Sequence, residues 1–275
     1  MRTKKLLWMK LGLLIVLLFI LLSIAMGLIT GNGIELFHVS FGSSFDGEKI
    51  EVGETYSFDD IDEIIIEGVA LDTEIVEGDV ENISVTQEDE PSEQVFQEFK
   101  VSGKTLIIGE DYPNFMVGAN VYHSGSLKIE IPQGMILKYD LNTVSGALML
   151  NVNNASEVQV DSVSADVKLY ANGEQLKVNS VSGDVYSYGS FINSDIDGVS
   201  GGYYLTADEN CENINKDTVS GDVNLRLIDV TEIDIDDESV SGDVSVNYDG
   251  VNLSSDANLS IDSDGVSGDI NIADW

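Results

Sequence analysis

Carboxylates at regular spacing are the residues of this 275-residue chain that could most readily do chemistry. The segments NSDIDG and SIDSDG place Asp195 and Asp197, and Asp262 and Asp264, at alternate positions. Clustered carboxylate and carbonyl oxygens are the ligands that Ca²⁺ prefers in proteins. These four residues therefore raise the hypothesis of a calcium site, and calcium is the one cofactor that the sequence suggests.

The same acids also have a simpler interpretation. The first segment opens like an EF-hand loop, but Tyr204 stands where the bidentate Glu should be. Five further carboxylates follow a recurring Val-Ser-Gly or Val-Ser-Ala step: Asp166, Asp184, Asp222, Asp243 and Asp269. Aspartate in turns often accepts backbone hydrogen bonds and otherwise faces water. Turn capping is therefore favoured over metal binding.

No catalytic residue is predicted. Hydrolysis of a glycan needs two carboxylates in one cleft, and the sequence singles out no such pair. His38 and His123 lie far apart, and neither zinc-ligand spacing nor a phosphate-binding glycine loop occurs. The sequence therefore favours a non-enzymatic protein, with an extracellular carbohydrate-active β-helix enzyme as the alternative.

The charge distribution limits the partners. The first 30 residues hold four of the 13 bases and no acid, so the rest carries nine bases against 49 acids. A polyanion of this size is repelled by nucleic acid, which is excluded as a partner. The single Cys211 also excludes an intramolecular disulfide framework, and a lone thiol is most often a small buried group.

The N-terminus predicts the compartment. Residues 11–29 carry no charge and follow the basic tail 1–10; 19 residues span about 28 Å as a helix, close to the thickness of a bilayer core. Basic flanks stay in the cytoplasm, so we expect a single-pass anchor in the cell membrane, with everything after Thr30 extracellular. The alternative is a signal peptide cleaved near Ser23-Ile24-Ala25.

Residues 30–57 follow this run and are rich in Gly and Ser, which predicts a tether. Phe37, Phe41 and Phe45 recur every four residues, so a short amphipathic helix is the alternative to a loose linker.

Seven copies of a Val-Ser-Gly step or close variant dominate residues 136–275. Counted from their Val, they begin at 144, 163, 181, 199, 219, 240 and 266. The intervals are about 20 residues, and apolar residues alternate with polar ones on both sides of each copy. This spacing predicts an all-β fold, a β-solenoid with one coil per repeat.

The glycine of each copy is predicted to form a corner. The parity of the inward-facing residues changes across it, as a sharp bend or bulge requires, and glycine tolerates backbone conformations that a β-carbon resists. The predicted corner residues are Gly146, Gly183, Gly201, Gly221, Gly242 and Gly268.

The preceding part of the body, residues 58–135, has strand-like segments without this repeat and is expected to form irregular opening coils. Together, Ile64–Ile66, GDVENISV, TLIIGE, KIEIPQG and the VSGDV copies resemble the bacterial "putative adhesin" family of β-strand-repeat domains of unknown function, which includes LiaG-like envelope-stress proteins. The similarity covers Ile61–Ile272, and the chain departs from it at Ala147, Ala165 and Gly202 and in its strongly acidic surface. The resemblance implies an extracytoplasmic, membrane-tethered β-solenoid and brings no catalytic residues.

These observations predict a non-enzymatic, membrane-anchored module of the cell surface, either an adhesin or an accessory of an envelope-stress system. Its expected partners are the membrane, through the N-terminal helix, and a protein or glycan at the cell surface.

Overall fold

The computed structural model describes residues 34–36, 39–41, 47–89, 96–111, 125–248 and 250–273. Every regular element within these ranges is a β-strand, so the predicted all-β class is confirmed. None of the described residues belongs to a helix long and apolar enough to cross a membrane. The apolar run 11–29, on which the predicted anchor rests, lies outside the described residues.

Twenty-four strands are described. The first twelve are β1 (Ile34–Leu36), β2 (Val39–Phe41), β3 (Glu48–Lys49), β4 (Thr55–Phe58), β5 (Glu63–Gly68), β6 (Asp72–Gly78), β7 (Ile83–Gln87), β8 (Phe96–Ser102), β9 (Thr105–Asp111), β10 (Ser126–Pro132), β11 (Leu137–Thr143) and β12 (Ala147–Asn151). The others are β13 (Asn154–Ser162), β14 (Asp166–Leu169), β15 (Asn172–Ser180), β16 (Val185–Gly198), β17 (Gly202–Ala207), β18 (Asn213–Thr218), β19 (Asp222–Leu227), β20 (Glu232–Asp237), β21 (Val244–Val246), β22 (Asn252–Leu253), β23 (Leu259–Gly265) and β24 (Ile270–Ile272).

Strands β1 and β2 form an antiparallel pair inside the predicted tether, where a short helix was the alternative. The remaining strands form two joined sheets. The first sheet holds the strands that precede each corner, in the spatial order β3, β8, β9, β5, β11, β13, β15, β16, β18, β23, β20 and β22. The second sheet holds those that follow it, in the order β4, β7, β10, β6, β12, β14, β16, β17, β19, β24 and β21. The long β16 bends through both sheets.

Each coil lies in register on its neighbours through parallel hydrogen bonds. Val178, for example, pairs with Val160 of the preceding coil and Ile196 of the following one. All three side chains are at most 1% exposed, because alternate residues of both sheets point into the space between them. The core is therefore a set of apolar columns that run along the solenoid axis.

The N-terminal end of the solenoid is closed by antiparallel strands. The coil of β9 and β10 stacks outside the coil of β5 and β6, and β3, β8, β4 and β7 then cover it. Tyr56, Phe58 and Phe99 pack there, with ring centroids 5.0 Å apart for Tyr56–Phe99 and 4.9 Å for Phe58–Phe99. This layer acts as a cap for the end of the core.

At the C-terminal end the coils do not stack in chain order. β23 lies between β18 and β20, and β24 lies between β19 and β21. Ile270 accordingly pairs with Val223 on one side and with Val244 on the other. The last coil of the chain is thus inserted, and the coil of β20 and β21 ends the solenoid. The longest repeat interval, 26 residues before the last copy, contains β22 and provides the length for this return.

The inward-facing residues explain why the coil of β23 and β24 is inserted and the coil of β20 and β21 is terminal. Ile261, Ile270 and Ile272 of the inserted coil point inward and are at most 1% exposed. The terminal coil instead carries Asp237 at an inward position, in register with Ser263. An inward carboxylate costs less free energy in the end layer, which water still reaches, than between two coils.

The corner glycines are explained by close stacking and, at four positions, by backbone conformation. The φ angle is +142° at Gly146, +105° at Gly183, +124° at Gly201 and +128° at Gly268. A β-carbon on Gly183 would also lie 2.3 Å from the carbonyl oxygen of Ala165 in the coil below. The corner therefore has no room for a side chain directed along the axis.

Gly221 and Gly242 lie at the same corner, but their φ angles are not in the positive region. The prediction that all six corners need glycine for its backbone conformation is therefore wrong for these two. Their reason is space: a β-carbon would lie 2.7 Å from the ring of Tyr203 at Gly221, and 2.3 Å from the carbonyl oxygen of Gly268 at Gly242.

We expect Gly183→Ala to destabilise the fold more than Gly221→Ala, because only Gly183 combines a positive φ with a backbone clash. Unusual backbone conformations cost about 1–3 kcal/mol each, before the clash is added. Gly103→Ala is the control for conformation alone, since Gly103 has a φ of +64° and nothing within 4 Å of its β-carbon position. Thermal melting checks the order; a Gly183 variant no less stable than the Gly103 variant would contradict the stacked corner.

Candidate functional site

Five of the carboxylates that follow the corners bind adjacent coils to each other. Asp72, Asp184, Asp222 and Asp269 each accept, through Oδ1, the backbone N–H of the equivalent residue in the adjacent coil, at 2.8–2.9 Å. Asp166 makes the same contact at 3.4 Å. The repeated Asp therefore caps a backbone amide, but in the neighbouring coil rather than in its own turn.

One coil shows what happens without this carboxylate. Gly202 occupies the Asp position, and the N–H of Asp222 in the next coil donates to the carbonyl of Gly201 at 3.1 Å instead. The backbone amide is satisfied in both arrangements, which accounts for the tolerance of the repeat to this departure.

The four residues of the calcium hypothesis lie on the outer face of the first sheet. They line a groove of about 660 Å³, together with Gln159, Lys177, Asn179, Asn215, Asp217, Asp236 and Glu238. Asp195 and Asp197 belong to β16, whereas Asp262 and Asp264 belong to β23, and β18 lies between these two strands. The structure thus brings the two pairs to one surface but separates them by a strand.

Amide side chains donate hydrogen bonds to part of this acidic surface. Asp195 accepts a hydrogen bond from Asn215 at 2.7 Å and another from Gln175 at 2.9 Å. Asp161 is held in the same way by Gln159 and Asn179, at 2.7 Å and 2.6 Å. Where an Asn stands beside an Asp in the adjacent coil, as at Asn179 and Asn215, a hydrogen-bonded pair therefore replaces a like-charge pair.

The column that holds Asp161 and Asn179 loses this alternation in the coils that follow. Asp197, Asp217 and Asp264 are direct neighbours in three successive coils. Burial raises the pKa of Asp217 above its ordinary value, and the charge of Asp264 raises it further. Burial likewise raises the pKa of Asp197, with contributions from Asp217 and Asp195. This column concentrates the repulsion of the groove.

Asp217 and Asp236 were not among the predicted site residues. A signal for Asp217 exists in the sequence, because Asp161, Asp197, Asp217 and Asp264 all stand two places before a repeat Val. Within the described residues, no three His, Cys, Asp or Glu side chains are grouped so that they could hold a metal ion. Calcium binding at Asp195, Asp197, Asp262 and Asp264 stays a prediction.

A buried lysine lies behind the groove. Lys216 points inward, is 2% exposed, and donates from Nζ to the carbonyl of Gly268 at 3.3 Å. Burial lowers its pKa, while the charges of Asp237 and Asp222 act in the opposite direction. In register, the small Ser263 of the inserted coil lies between Lys216 and Asp237. A polar column thus marks the point where the last coil inserts.

The outer face of the second sheet carries a different cluster, here called the tyrosine face: Tyr170, Tyr186, Tyr188 and Tyr204. Tyr170 and Tyr188 stack with ring centroids 4.6 Å apart and planes within 8°, and Tyr186 and Tyr204 stack at 4.5 Å and 7°. The two pairs are neighbours through Tyr186 and Tyr188, whose ring centroids lie 6.2 Å apart and whose planes differ by 12°. The pairs are each 18 residues apart, which equals the local repeat interval and could have revealed the cluster.

Arg226 adds a positive charge beside the tyrosine face. It lies in β19, in register with Thr206 of β17, and its Nη2 donates to the Thr206 hydroxyl at 3.1 Å. The outer face of the second sheet is thus aromatic with a fixed cation, whereas that of the first sheet is acidic.

The sequence also offered a cysteine and two histidines as candidates. Cys211 is buried at 3% exposure, and burial raises the pKa of its thiol to about 12, which confirms a small buried group. His38 and His123 lie outside the described residues.

Two parallel sheets joined by repeated corners, with coils stacked in register, define a two-sheet β-solenoid. The sequence profile of the Toastrack DUF4097 family matches residues 61–273, so the chain belongs to this family. The match confirms the resemblance to β-strand-repeat domains of unknown function. No curated protein matches the chain.

Several solved structures match over most of their own length, among them the following three. A "putative cell adhesion protein" from Clostridium sporogenes has 14% identity and a TM-score of 0.34, over 80% of this chain and 97% of its own. A "putative adhesin" from Bacteroides fragilis has 12% identity and a TM-score of 0.40, over 79% of this chain and 95% of its own. A "putative lipid binding protein" from Parabacteroides distasonis has 13% identity and a TM-score of 0.31, over 82% of this chain and 97% of its own.

We expect Asp217→Asn to raise the melting temperature at neutral pH. Two carboxylates about 4.8 Å apart repel by about 0.9 kcal/mol even at the dielectric constant of water, and Asp217 has such a neighbour on each side. About 2–4 °C per kcal/mol is expected for a chain of this size. Since the pKa of Asp217 is raised on folding, the wild type loses this penalty as the pH falls through that pKa, and the gain should shrink towards pH 4.

Asp222→Ala is the matched control for this substitution and should have the opposite effect. It also removes one negative charge, but it deletes the acceptor of the Asp269 N–H, worth about 0.5–1.5 kcal/mol. Melting curves from pH 4 to 8 check both variants. A stabilising effect of equal size in both would show that only net charge matters and that the corner carboxylates cap nothing.

Proposed function

We propose that the chain is a non-enzymatic surface module, anchored in the membrane by residues 11–29, whose tyrosine face binds a protein partner. It would serve as an adhesin or as an accessory of an envelope-stress system. The observation that carries the proposal is the stacked tyrosine cluster beside Arg226 on a rigid sheet. Tyrosine and arginine are enriched in protein interfaces and in their energetic hot spots.

The stacking geometry favours a protein over a glycan. A sugar ring packs on the open face of an aromatic ring, but each of the four tyrosines has one face covered by its stacking partner, Tyr170 on Tyr188 and Tyr186 on Tyr204. The cluster therefore offers ring edges and hydroxyl groups as well as its remaining faces. Rigid side chains of this kind lose little conformational entropy on binding, which suits a protein surface.

The alternative of a carbohydrate-active enzyme lacks a comparable observation. Neighbouring carboxylates in the groove are set at similar spacing by the repeat, so none of the described pairs is distinguished as an acid and its base.

The membrane anchor is proposed from the charge-flanked apolar run and from the strongly acidic body, which anionic headgroups would repel. Protease added to intact cells should remove the body beyond Thr30 and leave a short fragment in the membrane. Recovery of the whole chain in the medium would indicate a cleaved signal peptide, and protection of the body would contradict the orientation.

The double variant Tyr186→Ser/Tyr204→Ser should bind at least about tenfold more weakly to cells that lack their own copy of the protein, because hot-spot side chains typically contribute 2 kcal/mol or more. Asn271→Ser is the control, since Asn271 lies on the same outer face in another coil. Beads that carry the residue 47–275 body measure the binding.

Treatment of the cells identifies the partner class. Loss of binding after protease but not after periodate oxidation is expected for a protein. Loss after periodate alone would assign the face to a glycan, and unchanged binding by the tyrosine variant would contradict the proposed function.

A further inference from the structure

The terminal coil of β20 and β21 leaves part of one end of the core exposed, on the side of β21. Val223 and Ile270 occupy one inward column and are each 1% exposed, but Val244, the next member of that column, is 39% exposed. Val246 is half-buried, and the neighbouring Leu253 of β22 is 69% exposed. The other end of the solenoid has an antiparallel cap, whereas none of the described residues forms an equivalent layer here.

The backbone of β21 is also open on this side. The carbonyl of Asp243 accepts from Ile270, and the N–H of Asn247 donates to Ile272, so the odd-numbered residues of this strand face β24. The N–H and C=O groups of Val244 and Val246 consequently point the other way, where no described strand pairs with them. Strand β22 covers β20 only at Glu232 and Ile233. An unpaired edge of this kind is a template for an added strand.

The charge around this edge restricts the occupant. Residues 227–275 contain 13 acidic residues and no Lys or Arg. Asp236, Glu238 and Asp243 are exposed on the terminal coil itself. A second copy of this end would bring like charges together, whereas a cationic segment would be attracted.

The position of the edge leaves it accessible. The chain enters the body through β3 and β4 in the capping layer, at the opposite end of the solenoid. Ten strand spacings of about 4.8 Å separate β4 from β21 in the second sheet, or roughly 48 Å. Whatever precedes residue 47 is therefore joined at the end farthest from the open edge.

We propose that the open edge of the terminal coil binds an extended, basic peptide segment of a partner protein, which pairs with Val244–Val246 as an additional strand. Alternate apolar side chains of the segment would cover Val244 and Val246, and its Lys or Arg side chains would meet Asp236, Glu238 and Asp243. Main-chain hydrogen bonds and covered apolar area provide affinity, and the charges select the partner. This surface is separate from the tyrosine face.

The test uses the residue 47–275 body and a fluorescent seven-residue peptide of alternating Lys and Val. Fluorescence anisotropy should show saturable binding that weakens with sodium chloride. Val246→Pro removes one outward N–H without touching the bonds to β24 and should weaken binding at least tenfold. Val246→Thr keeps the N–H and should bind like the wild type. Circular dichroism verifies that each variant is folded.

A charge control separates the edge from the general field of the body. The triple variant Asp236→Asn/Glu238→Gln/Asp243→Asn should weaken binding, whereas Asp79→Asn/Glu81→Gln/Glu88→Gln, with the same loss of charge near the capped end, should not. Equal effects of the two triple variants, or full binding by Val246→Pro, would overturn the proposal.

Two further outcomes are decisive. Concentration-dependent dimerisation of the body in sedimentation, abolished by Val246→Pro, would assign the edge to a second copy and overturn the peptide proposal. Retention of peptide binding by Tyr186→Ser/Tyr204→Ser would support a separate site, and this result does not depend on whether the tyrosine face binds its own partner.

Discussion

Hydrogen bonds between coils, rather than within them, are the constraint on which this structure depends. Every strand of the body needs a neighbour in register, so a repeat has to present the same backbone groups at the same height in each coil. The corner presents two problems for this stacking. A β-carbon there would clash with a carbonyl of the adjacent coil, and one backbone amide points along the axis without a backbone partner. Glycine at the corner removes the first problem, and the following Asp, which accepts the amide of the adjacent coil, removes the second.

This constraint explains what could be predicted from the sequence. The repeat interval, the alternation and the change of parity at Gly183 predicted the solenoid, its corner and its inward columns, because those features are local and recur in each coil. The order of the coils could not be predicted in the same way. Insertion of the coil of β23 and β24 depends on comparing two coils, one with only the small Ser263 among its inward apolar residues and one with Asp237 at an inward position. The cap of β3, β4, β7 and β8 has no repeat signal at all.

The candidate surfaces were predictable to the same extent: their local patterns were visible in the sequence, whereas their contacts between coils were not. The aspartates at 195, 197, 262 and 264 were visible as a pattern, and the groove they line was a consequence of register. Their neighbours were not visible as such: the pairing of Asp195 with Asn215, and of Asp217 with Asp197 and Asp264, depends on which coils are adjacent. Amide–carboxylate alternation keeps much of a polyanionic surface tolerable, and the tyrosine face occupies the opposite sheet. A scaffold of this kind separates the carboxylates that bind adjacent coils to each other from the tyrosine face proposed for recognition.

The insertion of the last coil determines where the solenoid ends, because it makes β21 the terminal strand and leaves its edge open. Hydrogen–deuterium exchange of backbone amides tests it directly. Although Ile270–Ile272 is nearer the C-terminus, its amides should exchange slowly, since β24 is bonded to β19 on one side and to β21 on the other. The outward amides of Val244 and Val246 should exchange rapidly. Slow exchange at Val244–Val246 with rapid exchange at Ile270–Ile272 would mean that the coils stack in chain order, and it would contradict this account of the fold and its open end.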